Sequence, residues 1–382
     1  MTAPAETTGV RLIIDLAALA RNWKRLCDFA PRAETAAVVK ADAYGLGLAE
    51  TVPALVESGC RSFFVAIASE GLEVRALAPQ SRVFVLSGLN AANAGLFRDE
   101  RLIPVLNSME DVGIWRKAAK AETSPLPAAL HVDTGMNRLG LTAGEAGTLA
   151  KDAALLANIR LDLVMSHLAC ADQPANPMTG EQQVRFEAVR GLFPGVPASL
   201  ANSAGILQDA GLGFDLTRPG IALYGGEAID GAMGPMEVVV TAQARIVQVR
   251  DVMKGERIGY GATHECGRDS RVAIAAIGYG DGYHRIASGS GVPLRQLFAG
   301  AYGHIAGERV PLVGRISMDL AAFDISTLPE GFVKQGDWIE IFGENVALDD
   351  VARAAGTIGY ELLTALSRRA ERHYLPLRTR TH

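Results

Sequence analysis

The segment Val38-Val39-Lys40-Ala41-Asp42-Ala43-Tyr44 places a lysine at the end of an apolar run. A partly desolvated ammonium there has a lowered pKa, which frees the amine as nucleophile or base. Position alone favours an ordinary solvated lysine just past a strand. Other polar groups follow other apolar runs: His131-Val132-Asp133 leading to Arg138, then Ser166-His167, Asn202-Ser203 and Arg218-Pro219-Gly220-Ile221. Ser203 and the Gly220-Ile221 backbone could present a hydroxyl and N–H donors to a phosphate. The same residues fit plain turn chemistry, with Asn202-Ser203 as an N-cap and Pro219-Gly220 as a β-turn. His167 alone reads as a satisfied core histidine, Arg138 as a surface arginine, and Tyr260, between Gly259 and Gly261, as a packed aromatic. Their joint arrangement is what needs explaining.

The elements that must position these groups follow a rhythm. Residues 1–10 are small and polar and read as a loose tail. Asp15 reads as an N-cap for a helix whose buried face is Leu16, Leu19, Ala20, Trp23 and Leu26. Eight short apolar runs follow, at 36–40, 62–67, 82–86, 103–106, 129–132, 161–166, 198–200 and 216–224, separated by helical stretches. Continuous short apolar runs indicate strands buried on both faces, as in a parallel sheet. A doubly wound sheet competes but does not usually need eight strands. The expected fold class is therefore α/β: an N-terminal TIM (β/α)8 barrel over residues 11–234, then a mainly antiparallel β domain over 235–382. The second domain is expected to hold strands near 241–245, 271–278, 309–325 and 336–342, a helix over 348–367 and a closing strand near His373-Leu375. In a barrel, chemistry sits where strands end and βα loops begin, which is where the polar groups fall.

Composition narrows the function classes. The chain has 382 residues, 21% of them charged, and a formal net charge of -5. No clustered basic stripe suggests a nucleic-acid partner. Cys27, Cys60, Cys170 and Cys266 are far apart and fit no metal spacing, so no metal is expected. The N-terminal residues lack a basic segment followed by an apolar run, and no stretch is long enough to span a membrane. The expected location is the cytoplasm.

Taken together, the motifs resemble those of bacterial alanine racemases of the pyridoxal-phosphate-dependent, fold-type-III kind. VVKADAYG at 38–45 resembles the cofactor-attachment motif. VDTGMNRLG at 132–140, ANSAG at 201–205, RPGIALYG at 218–225, GYGAT at 259–263, GYGDGY at 278–283, VGRISMD at 313–319 and YEL at 360–362 continue the match in order. The resemblance implies pyridoxal 5′-phosphate as cofactor and a head-to-tail homodimer whose active sites combine one subunit's barrel with the other's β domain. It implies that Lys40 carries the cofactor. Tyr44, Ser203, Gly220, Ile221 and Tyr360 correspond to the phosphate cradle, with Asn202 beside it. Arg218 corresponds to the partner of the pyridine nitrogen, and His167 to a group bridging Arg218 and the catalytic tyrosine. Tyr260 corresponds to a second base from the other subunit, Arg138 and Met318 to substrate contacts, and Tyr279 to the substrate entrance.

The implied reaction is racemisation of L- and D-alanine by two bases on opposite faces, supplying D-alanine for peptidoglycan. A broader racemase acting on serine, lysine or arginine is the alternative. A decarboxylase on the same fold fits the C-terminal motifs less well. A lone-barrel cofactor carrier does not explain the β domain with Tyr260. A phenol near pKa 10 is a poor base at neutral pH, so Tyr260 is expected to need positive charge from the Arg218–His167 network. Two departures matter. His131 stands where the family often has a carbamylated lysine that holds the arginine, so Arg138 is expected to find a bound anion or water, a carboxylate, or neutral His131. Ser199 replaces a usual histidine. Ser317, where a cysteine is common, is a small change.

Overall fold

The computed structural model describes residues 8–208, 211–232, 234–293 and 299–377. The chain divides into two units, 19–237 and a second formed by 1–18 with 238–382. Of the expected tail, residues 1–7 lie outside the described residues.

In the first unit seven parallel strands pair in chain order: Ala37–Val38, Ser62–Val65, Arg82–Val85, Ile103–Leu106, Leu126–His131, Ile159–Met165 and Ala198–Ser199. Helices intervene and cover the outside, so Ser62–Val65 and Ile103–Leu106 are buried at every position. An eighth strand, Leu216–Thr217, pairs in parallel with Glu34–Thr35. Ala36 and Val38 N–H donate to the Thr217 and Pro219 carbonyls at 3.0 Å each. On the other side, Asp215 and Arg218 N–H donate to the Ala198 and Ala201 carbonyls at 3.0 and 2.9 Å. These bonds close the ring into a (β/α)8 barrel.

Two apolar runs form shorter strands than the sequence indicates. Pro219 has no N–H to continue the eighth, and Ile221–Tyr224 becomes a 3-10 turn. The first run ends at Val38 and turns into one left-handed helical turn, with φ of 54°, 55°, 52° and 56° at Ala41, Asp42, Ala43 and Tyr44. Left-handed backbone costs L-residues roughly 1–2 kcal/mol each. Surrounding bonds hold it: Gly45 N–H to Ala41 O (2.8 Å), Gly47 N–H to Asp42 O (2.9 Å), Leu48 N–H to Asp42 Oδ1 (2.8 Å) and Ala41 N–H to Glu70 Oε1 (2.7 Å).

The second unit is built on a sheet of eight strands, beside a small hairpin of Arg257–Ile258 with His264–Glu265. Its spine is Val240–Val252, thirteen residues long, whose apolar side chains alternate inward over its first half. This strand pairs antiparallel with Trp338–Phe342, with Ser270–Ala275 and with Val10–Asp15. Val10–Asp15 also pairs in parallel with Glu371–Leu375. Residues 10–15 thus join the β unit, whereas the sequence reading starts the barrel at residue 11. The reason is their alternation: Val10, Leu12 and Ile14 are buried and the residues between are not. The run expected over 309–325 is two strands, Glu308–Val313 and Ala321–Asp324, joined by a loop that carries Met318. The helix expected over 348–367 is two, Leu348–Ala354 and Gly359–Thr364.

Ala41 is exposed, so its φ of 54° is a conformational cost with little packing to offset it. Ala41→Gly is expected to stabilise the folded chain by about 0.5–1 kcal/mol, because glycine adopts this backbone freely. Urea unfolding of the two proteins checks this; an unchanged or lower stability would contradict it.

Candidate active site

The barrel places its polar groups at the C-terminal ends of its strands. Lys40 stands two residues past Val38, and burial pulls its ammonium below the usual lysine value. The nearby charge of Arg138 acts the same way and Glu70 opposes it. Glu70 is the clamp at this corner. Its Oε1 accepts from Ala41 N–H, and its Oε2 accepts from Ala66 N–H at 2.7 Å, tying the turn after Lys40 to the end of the next strand.

Arg218 is buried, and desolvation lowers it to about 9, so it stays charged at neutral pH. It donates to Ser199 Oγ, to the Ser166 carbonyl at 2.5 Å and to the Leu200 carbonyl at 3.4 Å. Ser199, the departure from the family pattern, therefore acquires a defined contact: it receives Arg218 and donates onward to Leu216 O at 2.6 Å. The expected bridge from His167 to Arg218 is absent from these hydrogen bonds. His167 instead feels Arg218, Arg138 and Lys40 through space, and burial with those charges brings it down to about 3.

His131 ends its strand with Nδ1 2.7 Å from Asn107 Oδ1. Asn107 Nδ2 already donates to Leu86 O at 3.0 Å and Val105 O at 2.9 Å, so Oδ1 must be the acceptor. His131 therefore carries its proton on Nδ1 and presents Nε2 as an acceptor. Burial and the Arg218 charge hold it neutral, at about 4. Arg138 is exposed and makes no hydrogen bond or ion pair with the described residues. Among the described residues no carboxylate pairs with it, so a carboxylate as the partner of Arg138 finds no support here.

The segments at 203 and 220 meet. Ser203 Oγ accepts from Gly220 N–H at 2.8 Å and Ala222 N–H at 3.3 Å, which leaves its own hydrogen free to donate. Asn202 caps the Ser203–Leu207 helix through Gly205 N–H at 2.9 Å. Ile221 N–H has no acceptor among the described residues. A Cβ on Gly220 would lie 2.2 Å from the Tyr44 hydroxyl, so only glycine lets that phenol reach the backbone here. Tyr44 is braced by Tyr224, stacked at 4.6 Å, whose hydroxyl donates to Val38 O at 2.9 Å. This donor set fits a phosphate monoester, and Lys40 and Arg218 at the same rim fit the rest of pyridoxal 5′-phosphate.

In the second unit Tyr260 is 69% exposed on a short turn. A cavity of about 790 Å³ joins it to Arg315, Ser317 and Leu320. Tyr279 and Met318 are exposed and adjacent: Tyr279 N–H donates to Ser317 O at 3.1 Å and Gly280 N–H to Met318 O at 2.9 Å. Tyr360 is exposed on Gly359–Thr364. The sequence reading passes over Glu70 and Asn107. Asn107 does follow an apolar run at the same rim, and that was the available signal.

Two neutral buried imidazoles make this unit sensitive to acid. In the unfolded chain both return to about 6.5 and take up protons that the folded barrel refuses. Stability is thus full above pH 6.5 and falls as pH drops toward 4. His131→Gln, which can still donate to Asn107, is expected to make that fall shallower. Urea unfolding at pH 7 and at pH 4.5 measures it, and an equal loss in both proteins refutes it.

Comparison with known proteins identifies the family. Residues 14–228 match the family described as alanine racemase, N-terminal domain, and residues 239–374 match its C-terminal domain. The alanine racemase of Rhizobium meliloti is 55% identical over 366 residues, covering 96% of each chain. The biosynthetic alanine racemase of Agrobacterium fabrum is 49% identical, covering 97% of this chain and 95% of its own. The crystal structure of the Bartonella henselae alanine racemase, which has covalently bound pyridoxal phosphate, superposes with a TM-score of 0.88 at 33% identity, over 96% of this chain and 99% of that one. The chain belongs to the alanine racemase family.

Proposed function

We propose that this protein binds pyridoxal 5′-phosphate on Lys40 and interconverts L- and D-alanine, with Lys40 and Tyr260 as bases on opposite faces of the substrate. The observation that carries the reading is the barrel rim, where a desolvated lysine amine shares one edge with a buried, charged Arg218 and a set of phosphate donors. Bound pyridoxal phosphate supplies the electron sink that makes the α-proton removable. Ser203, Ile221, Tyr44 and Tyr360 would hold the phosphate, with Asn202 fixing the loop that carries Ser203. Arg218 would face the pyridine nitrogen. A guanidinium stays charged and accepts no proton, so it would leave that nitrogen unprotonated.

The protein's own work is proton handling. Lys40, lowered by burial, takes or returns the proton on the D-alanine side, and the Tyr260 phenol does so on the L-alanine side. Arg138 and the Met318 backbone N–H orient the substrate, and Tyr279 narrows its approach. Tyr260 belongs to a different unit from Lys40 and acts on the barrel of a second copy, so the working form is a homodimer with shared sites. No helix among the described residues is long and apolar enough to cross a membrane. We place the enzyme in the cytoplasm, supplying D-alanine for peptidoglycan.

A chiral assay of the purified protein with L-alanine, L-serine and L-lysine, with and without added cofactor, tests the substrate. Alanine is expected to be fastest, and serine or lysine outpacing it would overturn the assignment. Lys40→Ala is expected to abolish covalent cofactor attachment, read as loss of the protein-bound cofactor absorbance after reduction with borohydride; attachment in that variant would sink the Lys40 role. The shared site has its own test. Lys40→Ala and Tyr260→Ala should each be inactive. Refolded as an equal mixture they should regain about a quarter of wild-type activity, because half the dimers hold one complete site. No recovery would argue against sharing.

A further inference from the structure

The loop carrying Met318 has an electrostatic difficulty. Its backbone reverses between Ser317 N–H and Leu320 O at 2.9 Å, with Leu320 N–H returned to Ser317 Oγ at 3.0 Å. The Met318 and Asp319 N–H groups donate to nothing among the described residues. Two adjacent free N–H groups suit a carboxylate. The Asp319 side chain, on the same loop, would repel it.

Arg369 is placed to remove that repulsion. Its Nη1 donates to Asp319 Oδ1 at 3.0 Å, and its Nε and Nη2 lie 3.0 and 2.9 Å from Asp281 Oδ1. Asp281 is buried, and its other oxygen accepts from Gly278 N–H at 3.0 Å. The 278–283 loop is thereby fixed, and it is this loop that holds Met318 O through Gly280 N–H at 2.9 Å. The junction is tight: a Cβ on Gly280 would stand 2.7 Å from Arg369 Nη2 and 3.0 Å from Met318 O. An exposed ion pair contributes little to stability, so the Arg369–Asp319 contact needs another reason.

We propose that Arg369 is a positioning residue for the substrate carboxylate: it offsets part of the Asp319 charge and, through Asp281, holds the 278–283 loop against Met318, so that the Met318 N–H meets an anion with less competing negative charge. This rests on the alanine reading and on Met318 as the carboxylate contact. The anchored half of the guanidinium sets the geometry. The half paired with Asp319 sets the local charge.

The test uses the cofactor-loaded enzyme. Arg369→Ala is expected to raise KM for L- and D-alanine about tenfold while kcat changes little, since one uncompensated negative charge opposes binding. Asp319→Asn in that background should recover most of the loss, which a purely structural role for Arg369 would not allow. Asp319→Asn alone keeps Arg369 on Asp281, removes the remaining repulsion and should lower KM. Propionate, which has the carboxylate and no amine, gives a readout without turnover: its dissociation constant should rise with KM in Arg369→Ala and return in the double variant. Equal falls in kcat and kcat/KM, no recovery by Asp319→Asn, or a several-fold rise in KM from Asp319→Asn alone would each overturn the proposal and leave the alanine reading intact. A wild-type enzyme that does not racemise alanine would overturn both.

Discussion

A buried, charged guanidinium dominates the barrel rim. Among the described residues Arg218 is held only by a serine hydroxyl and main-chain carbonyls, with no carboxylate. Carbonyl dipoles satisfy its hydrogen bonds but leave its charge uncancelled. The consequences spread through the rim. His131 and His167 stay neutral because burial disfavours a charged imidazole and the positive charge of Arg218 beside them adds to that cost. Arg138 adds to the field, and Glu70 counters it at Lys40. A site of this sign favours an anion, and a phosphate-bearing cofactor with an amino-acid carboxylate would supply two.

The same constraint gives meaning to the departures from the family pattern. A histidine at position 131 is tolerable here because Asn107 fixes its tautomer and its neighbours keep it uncharged. A serine at 199 loses an imidazole but keeps a hydroxyl where Arg218 needs an acceptor. Both substitutions preserve hydrogen bonding while adding no negative charge, so the positive potential of the rim survives them.

Much of this was legible in the sequence. The eight apolar runs and their polar ends give the barrel and the positions of Lys40, His131, His167, Ser203 and Arg218, because a strand buried on both faces has a composition of its own. Strand ends were less legible. The left-handed turn after Lys40 leaves no mark in residue type, since Ala41, Asp42 and Ala43 are common in ordinary helices and turns. The loop at 314–320 was hidden inside a run that reads as one long strand. Residues 10–15 carry a clear alternation, but their partners lie at the far end of the chain, and no local pattern states which sheet a strand will join. Glu70 and Arg369 were invisible for the same reason, and the place of Asn107 after an apolar run gave no hint of its partner: each acts by joining segments distant in sequence.

That first strand has a consequence for how the chain comes into being. Val10–Asp15 emerges from the ribosome before the barrel, yet both its neighbours, Val240–Val252 and Glu371–Leu375, are synthesised after it. Throughout translation of the barrel, a strand with Val10, Leu12 and Ile14 along one face has no sheet to enter. The helix that follows it, Leu16–Phe29, is needed earlier, since Trp23 Nε1 bonds to Thr35 O at the foot of the barrel. The nascent chain must therefore fold its barrel with an unpaired apolar lead dangling from it. Such a segment is a natural substrate for chaperones and a natural point of entanglement between two chains made side by side.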